Sequence, residues 1–200
     1  MYLVCWRGIP VSHRLLSALW ITMILLLAGC VSTRHAGKVY VTDGTQVALL
    51  PTKDMEGTVD AMHLLAGSYK DRSFTLDAYV FADSSMLSVT AMTTMGNTIA
   101  TLSYEGERIT KAASMIGGIP FPAEYLFFDF QLCYYRADAL KELFDAAGLS
   151  FTEEEKDGVV RRTLTDGSLV IATVDKSEAG ISFSNQLRGY SYTIVVVPDA

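Results

Sequence analysis

The residue with the most specific chemistry is Cys30, whose thiol ends the sequence Leu27-Ala28-Gly29-Cys30. An apolar run over residues 15–27 leads into it, and arginines precede that run. A basic start, an apolar middle and small residues before a cleavage point are typical of an export signal. The apolar run is shorter than the roughly 20 residues that a membrane-spanning helix needs. The sequence therefore predicts a signal peptide over residues 1–29 and lipidation of Cys30.

Acylation of Cys30 predicts attachment of the mature chain to a membrane, because two or more buried acyl chains anchor a protein stably. Val31 follows, and not the aspartate that retains lipoproteins at the inner membrane in the enteric sorting rule. By analogy with that rule, we expect the protein at the periplasmic face of the outer membrane. Residues 30–45 are small, polar or charged, which predicts a tether, and residues 46–200 then form a single domain.

Other chemistry is weakly indicated. The chain has 16 basic and 22 acidic residues, a net charge of −6, and no basic patch, so no nucleic-acid partner is expected. Once residues 1–29 are removed and Cys30 is acylated, Cys133 is the remaining thiol. Its neighbours are apolar, which favours a small buried side chain over a nucleophile.

No pattern of a hydrolase, a nucleotide-binding loop or a zinc site is present, so we expect no enzyme activity, no metal and no cofactor. Glu124 and Asp129 are spaced by five and do not share one helix face, which favours a capping or rim role over acid-base catalysis. We interpret His63 as structural, and the run of glutamates at 153–155 as a solvated hairpin tip.

Alternation of apolar and polar residues over Ser73–Val80 predicts a half-buried strand. Short turns connect it to similar runs, which favours an antiparallel meander, and Asp166-Gly167 is a strong hairpin signal. Further strands are expected over residues 46–50, 87–91, 98–104, 149–152, 159–164, 168–174, 181–187 and 190–197.

Helical spacing is expected in two places. Residues 58–66 are predicted to form a short helix, with Ala61, Leu64 and Leu65 on one side. A helical insertion is predicted over about residues 122–148; its first segment is rich in aromatic residues, and Gly148 is a plausible C-cap. The resulting fold class is mainly β (α+β), with about 10 or 11 antiparallel strands and helices inserted between two halves of the sheet.

Several local patterns resemble the LolA/LolB superfamily of periplasmic lipoprotein carriers and receptors. Residues 87–106 are similar to the central hairpin of the LolB receptor. The helix start at residues 121–126, Asn185 and Arg188-Gly189-Tyr190 more narrowly resemble outer-membrane lipoproteins of aryl polyene biosynthesis clusters. The resemblance extends over about residues 66–197.

The resemblance implies an unclosed antiparallel β-barrel, lidded by helices, with an apolar cavity for acyl chains. The residues that would line this cavity are Phe74, Leu76, Val80, Leu87, Val89, Leu102, Leu126, Phe130, Tyr134 and Phe144. Each of these side chains equally suits a solid core. The implied partners are a lipid or acyl chain, the outer membrane through acylated Cys30, and a periplasmic carrier protein.

We therefore expect an outer-membrane lipoprotein that binds an acyl or polyene lipid, or a lipoprotein, and assists its transport or membrane insertion. The alternative is a structural or assembly lipoprotein with a solid core that binds a protein partner.

Overall fold

The computed structural model describes residues 31–35, 37–113 and 122–197, which belong to one compact unit. The strands are β1 Val31–His35, β2 Lys38–Tyr40, β3 Gln46–Ala48, β4 Val59–Tyr69, β5 Arg72–Ala82, β6 Met86–Met92, β7 Thr98–Glu105, β8 Arg108–Ala113, β9 Ser150–Lys156, β10 Val159–Asp166, β11 Leu169–Ser177, β12 Gly180–Asn185 and β13 Tyr190–Val197. The helices are α1 Ala123–Tyr134 and α2 Ala137–Ala146, with a 3₁₀ turn at Thr52–Asp54.

Eleven of the described strands form a single antiparallel sheet in the order β1-β8-β7-β6-β5-β4-β13-β12-β11-β10-β9. Two meanders, β4 to β8 and β9 to β13, join where β13 pairs with β4 from Tyr190↔Tyr69 to Val197↔Met62. The sheet is not closed, because β1 and β9 lie at its two edges. The predicted fold class, an open antiparallel sheet with inserted helices, is confirmed.

Alternation along each strand gives the sheet an inner face, which packs on the helices, and an outer face. On β5, for example, Ala78, Val80 and Ala82 point inward and are buried. We call the end of the sheet at the β4–β5 and β12–β13 turns the upper rim. The opposite end, at the β5–β6 and β11–β12 turns, is the lower rim.

The predicted helix over residues 58–66 is wrong, because residues 59–66 lie in β4, between β5 and β13. Its inward positions are Ala61, His63 and Leu65, which follow the period of a strand. His63 is buried although it is polar, and a polar residue at an inward position obscures the alternation in the sequence. The backbone N–H and C=O groups of β4 are hydrogen-bonded by a strand on each side. This pairing stabilises a strand more than the weak helical spacing of its apolar residues stabilises a helix.

The predicted tether is wrong over the described part of residues 30–45. Residues Val31–His35 form β1 and pair with β8. The next strands, β2 and β3, form a hairpin that carries Val39, Val41 and Val47 into the core. Burial of three valines offsets the entropy that is lost when this short segment becomes ordered. The polar composition of the segment as a whole did not indicate these buried positions.

The helical insertion is confirmed, and so is its C-cap. Gly148 has a φ of +76°, and the Leu149 N–H donates to the Phe144 carbonyl, 2.9 Å away, in the pattern of a Schellman motif. The Phe144 ring lies 5.7 Å from the Phe151 ring, so α2 packs on the edge strand β9.

Candidate functional site: an apolar groove between helix α1 and the sheet

Helix α1 is buried on almost all sides. Phe127, Phe128 and Leu132 are nearly inaccessible to solvent. Its half-buried side chains are Tyr125, Leu126, Phe130 and Tyr134. Leu126, Phe130 and Tyr134 are spaced by four residues and therefore form one line along the helix. The remaining exposure of α1 is concentrated on this apolar line.

The inner face of β4 and β5 changes along its length. Near the lower rim, Ala61 and Val80 are buried, and so is the His63–Ala78 pair above them. Near the upper rim, the paired residues Leu65 and Leu76 are half-buried. The sheet is thus covered at one end and partly open at the other.

The apolar line of α1 and the half-buried part of the sheet meet at His63. The ring of Tyr134 stacks on the imidazole at 5.8 Å, and its hydroxyl lies 3.4 Å from Nε2 of His63. The Phe130 ring stacks on Tyr134 at 4.5 Å. Leu65 follows His63 on the same face of β4. We define the groove as the six half-buried residues of these two surfaces: Leu65, Phe74, Leu76, Leu126, Phe130 and Tyr134.

A buried polar cluster holds α1 beside the groove. The Tyr190 hydroxyl donates to the Asp129 carboxyl, 2.9 Å from either oxygen, and the Tyr192 hydroxyl donates from 3.4 Å. The Asn185 amide donates to Tyr190 from 3.4 Å. Burial raises the pKa of Asp129 to about 8. The cluster therefore holds the middle of α1 to β13 through hydrogen bonds from two tyrosine hydroxyls to the carboxyl group of Asp129.

Arg188 extends the same cluster toward the upper rim. Its guanidinium lies 4.5 Å from the centre of the Tyr125 ring, and Nη2 donates to the Tyr125 hydroxyl from 3.2 Å. It also donates to the backbone carbonyl of Tyr40. The start of α1, the β12–β13 turn and the β2–β3 hairpin are thereby joined.

Two further contacts fix the other end of α1. Arg162 is 2 % exposed; its Nη1 donates to the Leu132 carbonyl at 2.9 Å and its Nε to Glu153 at 2.6 Å. The Gln131 amide binds both backbone groups of Leu50, at 3.0 Å and 2.8 Å. These bonds hold the second half of α1 to β10 and to the residues that follow β3.

Glycine at position 67 is required where β4 passes under the aromatic residues of the upper rim. A Cβ atom there would lie 2.4 Å from the Ser191 carbonyl oxygen and 2.9 Å from the Phe74 ring. Phe74 therefore lies directly over β4, next to Tyr192. Because Gly67 has no side chain, Phe74 of the groove lies close to Tyr192 of the polar cluster.

The structure separates the ten predicted cavity residues into two sets. Phe74, Leu76, Val89, Leu126, Phe130 and Tyr134 are half-buried. Val80, Leu87, Leu102 and Phe144 are at most 3 % exposed and fill the core. The helices and the β2–β3 hairpin cover this deeper part of the inner face.

Cys30 and residues 1–29 lie outside the described residues, so the lipidation and signal-peptide predictions stay predictions. Cys133 is buried and free, and burial raises the pKa of its thiol, as expected of a core side chain. Residues 153–155 are exposed, as predicted, but they lie on β9 and not at the tip of its hairpin, and Glu153 pairs with Arg162.

Sequence reasoning missed Arg162, Tyr190 and Tyr192 as partners of α1. The sequence places all three on predicted strands, and the alternation assigns them to the inner face. An arginine at an inward position was the available signal, because a buried arginine needs a carboxylate or a carbonyl partner.

Other kinds of site find little support in the described part of the chain. No group of three or more His, Cys, Asp or Glu residues is placed to hold a metal ion there. None of its helices has the length and apolar character needed to cross a membrane. A shallow depression of about 140 Å³ lies on the outer face of β4 and β13, lined mostly by small and polar residues, and is separate from the groove.

Comparison with protein-family models matches residues 60–198 to one described as "Protein of unknown function (DUF3261)". No curated protein matches the chain. The family match runs from β4 to the end of β13, so it includes both meanders, α1 and the polar cluster. Because this match extends over well more than half of the chain, the protein belongs to the DUF3261 family.

Proposed function

We propose that this protein is a lipoprotein of the outer membrane that binds a hydrophobic acyl or polyene chain in the groove. The bound molecule is a lipid or a lipoprotein that carries such a chain. The protein assists the transport of this molecule or its insertion into the membrane. The observation that carries the proposal is the half-buried apolar line of α1 facing half-buried residues of β4 and β5. No catalytic step is part of it.

The chemistry of the groove suits a hydrocarbon chain. Its six residues are aliphatic or aromatic, and the polar cluster beside them is satisfied within the protein. Burial of apolar area contributes about 25 cal/mol per Å², or about 0.8 kcal/mol per methylene. A chain of about ten methylenes therefore gains roughly 8 kcal/mol before the entropic costs of binding are subtracted. Affinity then requires no specific polar contact with the ligand.

Leu64 and Leu65 provide a matched pair of variants, because neighbouring residues of a strand face opposite sides. Leu65 belongs to the groove, and Leu64 is 41 % exposed on the outer face. We expect Leu65→Gln to weaken saturable binding of a fluorescent fatty acid by roughly tenfold, since burial of a leucine is worth about 1.5–3 kcal/mol. Leu64→Gln should leave the affinity unchanged.

Equal affinity of the two variants and the parent chain would contradict the proposed groove. Thermal unfolding of both variants provides the control for folding. Lipidation is tested separately by incorporation of labelled palmitate, which Cys30→Ser should abolish, and by fractionation of inner and outer membranes.

The second candidate is a structural or assembly lipoprotein that binds a protein partner. It is favoured by the filled deeper half of the inner face, where Leu87 and Phe144 are completely buried. This candidate predicts that fatty acid binds weakly and without saturation, and that the Leu65→Gln variant behaves like the parent chain.

A further inference from the structure

The turns of the upper rim carry large apolar side chains into solvent. Tyr69 lies at the β4–β5 turn, Met95 at the β6–β7 turn, Leu169 after the β10–β11 turn and Leu187 at the β12–β13 turn. They are between 39 % and 87 % exposed, with Met95 the most exposed of them. An exposed apolar side chain in or beside each of these four described turns is unusual, because turns favour small and polar residues.

These turns lie at one end of a tilted sheet. Relative to β5, the upper end steps from Arg72 at the β4–β5 turn to Asp77, opposite Met92 on β6. The pairings across β8, β7 and β6 place Val31, the first residue of β1, in line with Tyr79 of β5. The upper end of the sheet is thus seven residues lower at β1 than at β5. From β5 to β1 the upper end therefore shifts by about 23 Å along the strand direction, while the four strand spacings between them amount to about 19 Å. Strands tilted at a similar angle form an even rim in barrels.

The lower rim has the opposite character. Its turns contain Asp83-Ser84-Ser85, Glu105-Gly106-Glu107, Asp157-Gly158 and Glu178-Ala179. Acidic and small residues predominate there, whereas at the upper rim Lys70 and Arg72 flank Asp71 next to Tyr69, which leaves this turn with a net charge of +1. The Lys70 ammonium lies 5.2 Å from the centre of the Tyr69 ring. The molecule thus has an apolar, locally basic end and an acidic end.

The predicted anchor enters at the upper rim. Val31 pairs with Ala112, whereas His35 pairs with Arg108 next to the β7–β8 turn, so β1 begins at the upper end of the sheet. Cys30 is bonded directly to Val31, and adjacent Cα atoms are about 3.8 Å apart. Val31, the residue that follows Cys30 in the sequence, is therefore already part of the sheet.

We propose that the upper rim lies on the bilayer surface, with Tyr69, Met95, Leu169 and Leu187 among the headgroups and the adjoining acyl region. Lys70 and Arg72 then face lipid phosphates, and the acidic lower rim points away from the membrane. Aromatic and basic residues are typical of such interfaces. The proposal rests on acylation of Cys30.

This orientation also places the open end of the groove against the membrane. Leu65, Phe74 and Leu76 lie toward the upper rim, at the same end as the exposed turns. A hydrocarbon chain then passes between bilayer and groove without exposing its full length to water. The surface is thus a site of contact with lipid, distinct from the groove.

Fluorescence quenching on vesicles tests this orientation. The full lipoprotein is reconstituted into vesicles of phosphatidylethanolamine and phosphatidylglycerol that contain lipids with a spin label near the headgroup. A thiol-reactive fluorophore is placed with Met95→Cys or Leu187→Cys, and the matched lower-rim controls are Ser84→Cys and Glu178→Cys. Cys133 is buried and does not compete for the label. We expect quenching at positions 95 and 187 to exceed that at 84 and 178 by at least threefold.

Equal quenching at both rims, stronger quenching at the lower rim, or a protein that does not associate with the vesicles would overturn the orientation. Fatty acid binding, measured in parallel without vesicles, separates this result from the proposed function. Loss of quenching with intact fatty acid binding refutes only the orientation. Quenching at the upper rim without fatty acid binding supports the orientation and refutes the groove.

Discussion

Asp129→Asn should change how stability depends on pH. In the folded chain, burial raises the pKa of Asp129 to about 8 from its ordinary value of 3.8. Between these values the folded state keeps a proton that the unfolded state has released. The free energy of unfolding therefore decreases as pH rises through this window, by about 1.4 kcal/mol per pH unit.

His63 has the opposite effect over part of the same range. Burial lowers its pKa from 6.5 to about 4, so the unfolded state binds an extra proton between these values. Stability due to His63 is lost as pH falls from 6.5 to 4. The two slopes cancel between pH 4 and 6.5. From pH 6.5 to 8 only Asp129 of these two groups contributes, and its contribution to stability should fall by about 2 kcal/mol.

Asp129→Asn removes the fall above pH 6.5 and uncovers a rise of roughly 3 kcal/mol between pH 4 and 6.5, which His63 produces. His63→Gln is the matched variant, and its stability should fall continuously from pH 4 to 8. Urea unfolding followed by far-ultraviolet circular dichroism is the suitable assay, because Trp6 and Trp20, the two tryptophans of the chain, lie in the predicted signal peptide. An Asp129→Asn profile that parallels that of the parent chain would refute this reasoning.

Three further changes have clear expected outcomes. Gly67→Ala should lower the melting temperature by several degrees in thermal unfolding, because its Cβ would lie 2.4 Å from a carbonyl oxygen, whereas Gly44→Ala, with open space around it, should not. Glu153→Ala removes the nearer carboxylate partner of buried Arg162, which keeps its bond to the Leu132 carbonyl and its ion pair with Glu56. It should cost roughly 1–2 kcal/mol in urea unfolding, against less than about 0.5 kcal/mol for the exposed Glu154→Ala. Cys133 should react with a maleimide only after unfolding, and labelling of the native protein would show that α1 opens.

The sequence predicted the strands whose alternation is uninterrupted. Residues 73–80 and 98–104 fall within β5 and β7, and the aromatic insertion became α1 and α2. These elements were predictable because one face of each is continuously apolar. Strand β4 was mistaken for a helix because buried His63 interrupts its pattern. Strand β3 falls within the predicted strand over residues 46–50, whereas β2 was missed because its buried Val39 lies within a polar stretch.

The groove was predictable only in part. The resemblance identified ten apolar residues, but composition does not distinguish Leu76, which stays half-buried, from Leu87, which is completely buried. The difference in exposure between these two leucines depends on how much of each strand is covered by α1 and the β2–β3 hairpin. The contacts that set this cover, through Asp129, Arg162 and Gln131, join residues far apart in the chain. Periodicity carries no information about such pairs.

Photo-crosslinking tests most directly whether the groove holds a hydrocarbon chain. A fatty acid with a diazirine near the end of its chain is bound to the lipoprotein and irradiated, and the modified peptides are identified by mass spectrometry. The account predicts adducts on residues 123–134 of α1 and on residues 65–76 of β4 and β5, which excess unlabelled fatty acid removes. Adducts confined to the outer face, or labelling that unlabelled fatty acid does not reduce, would contradict it.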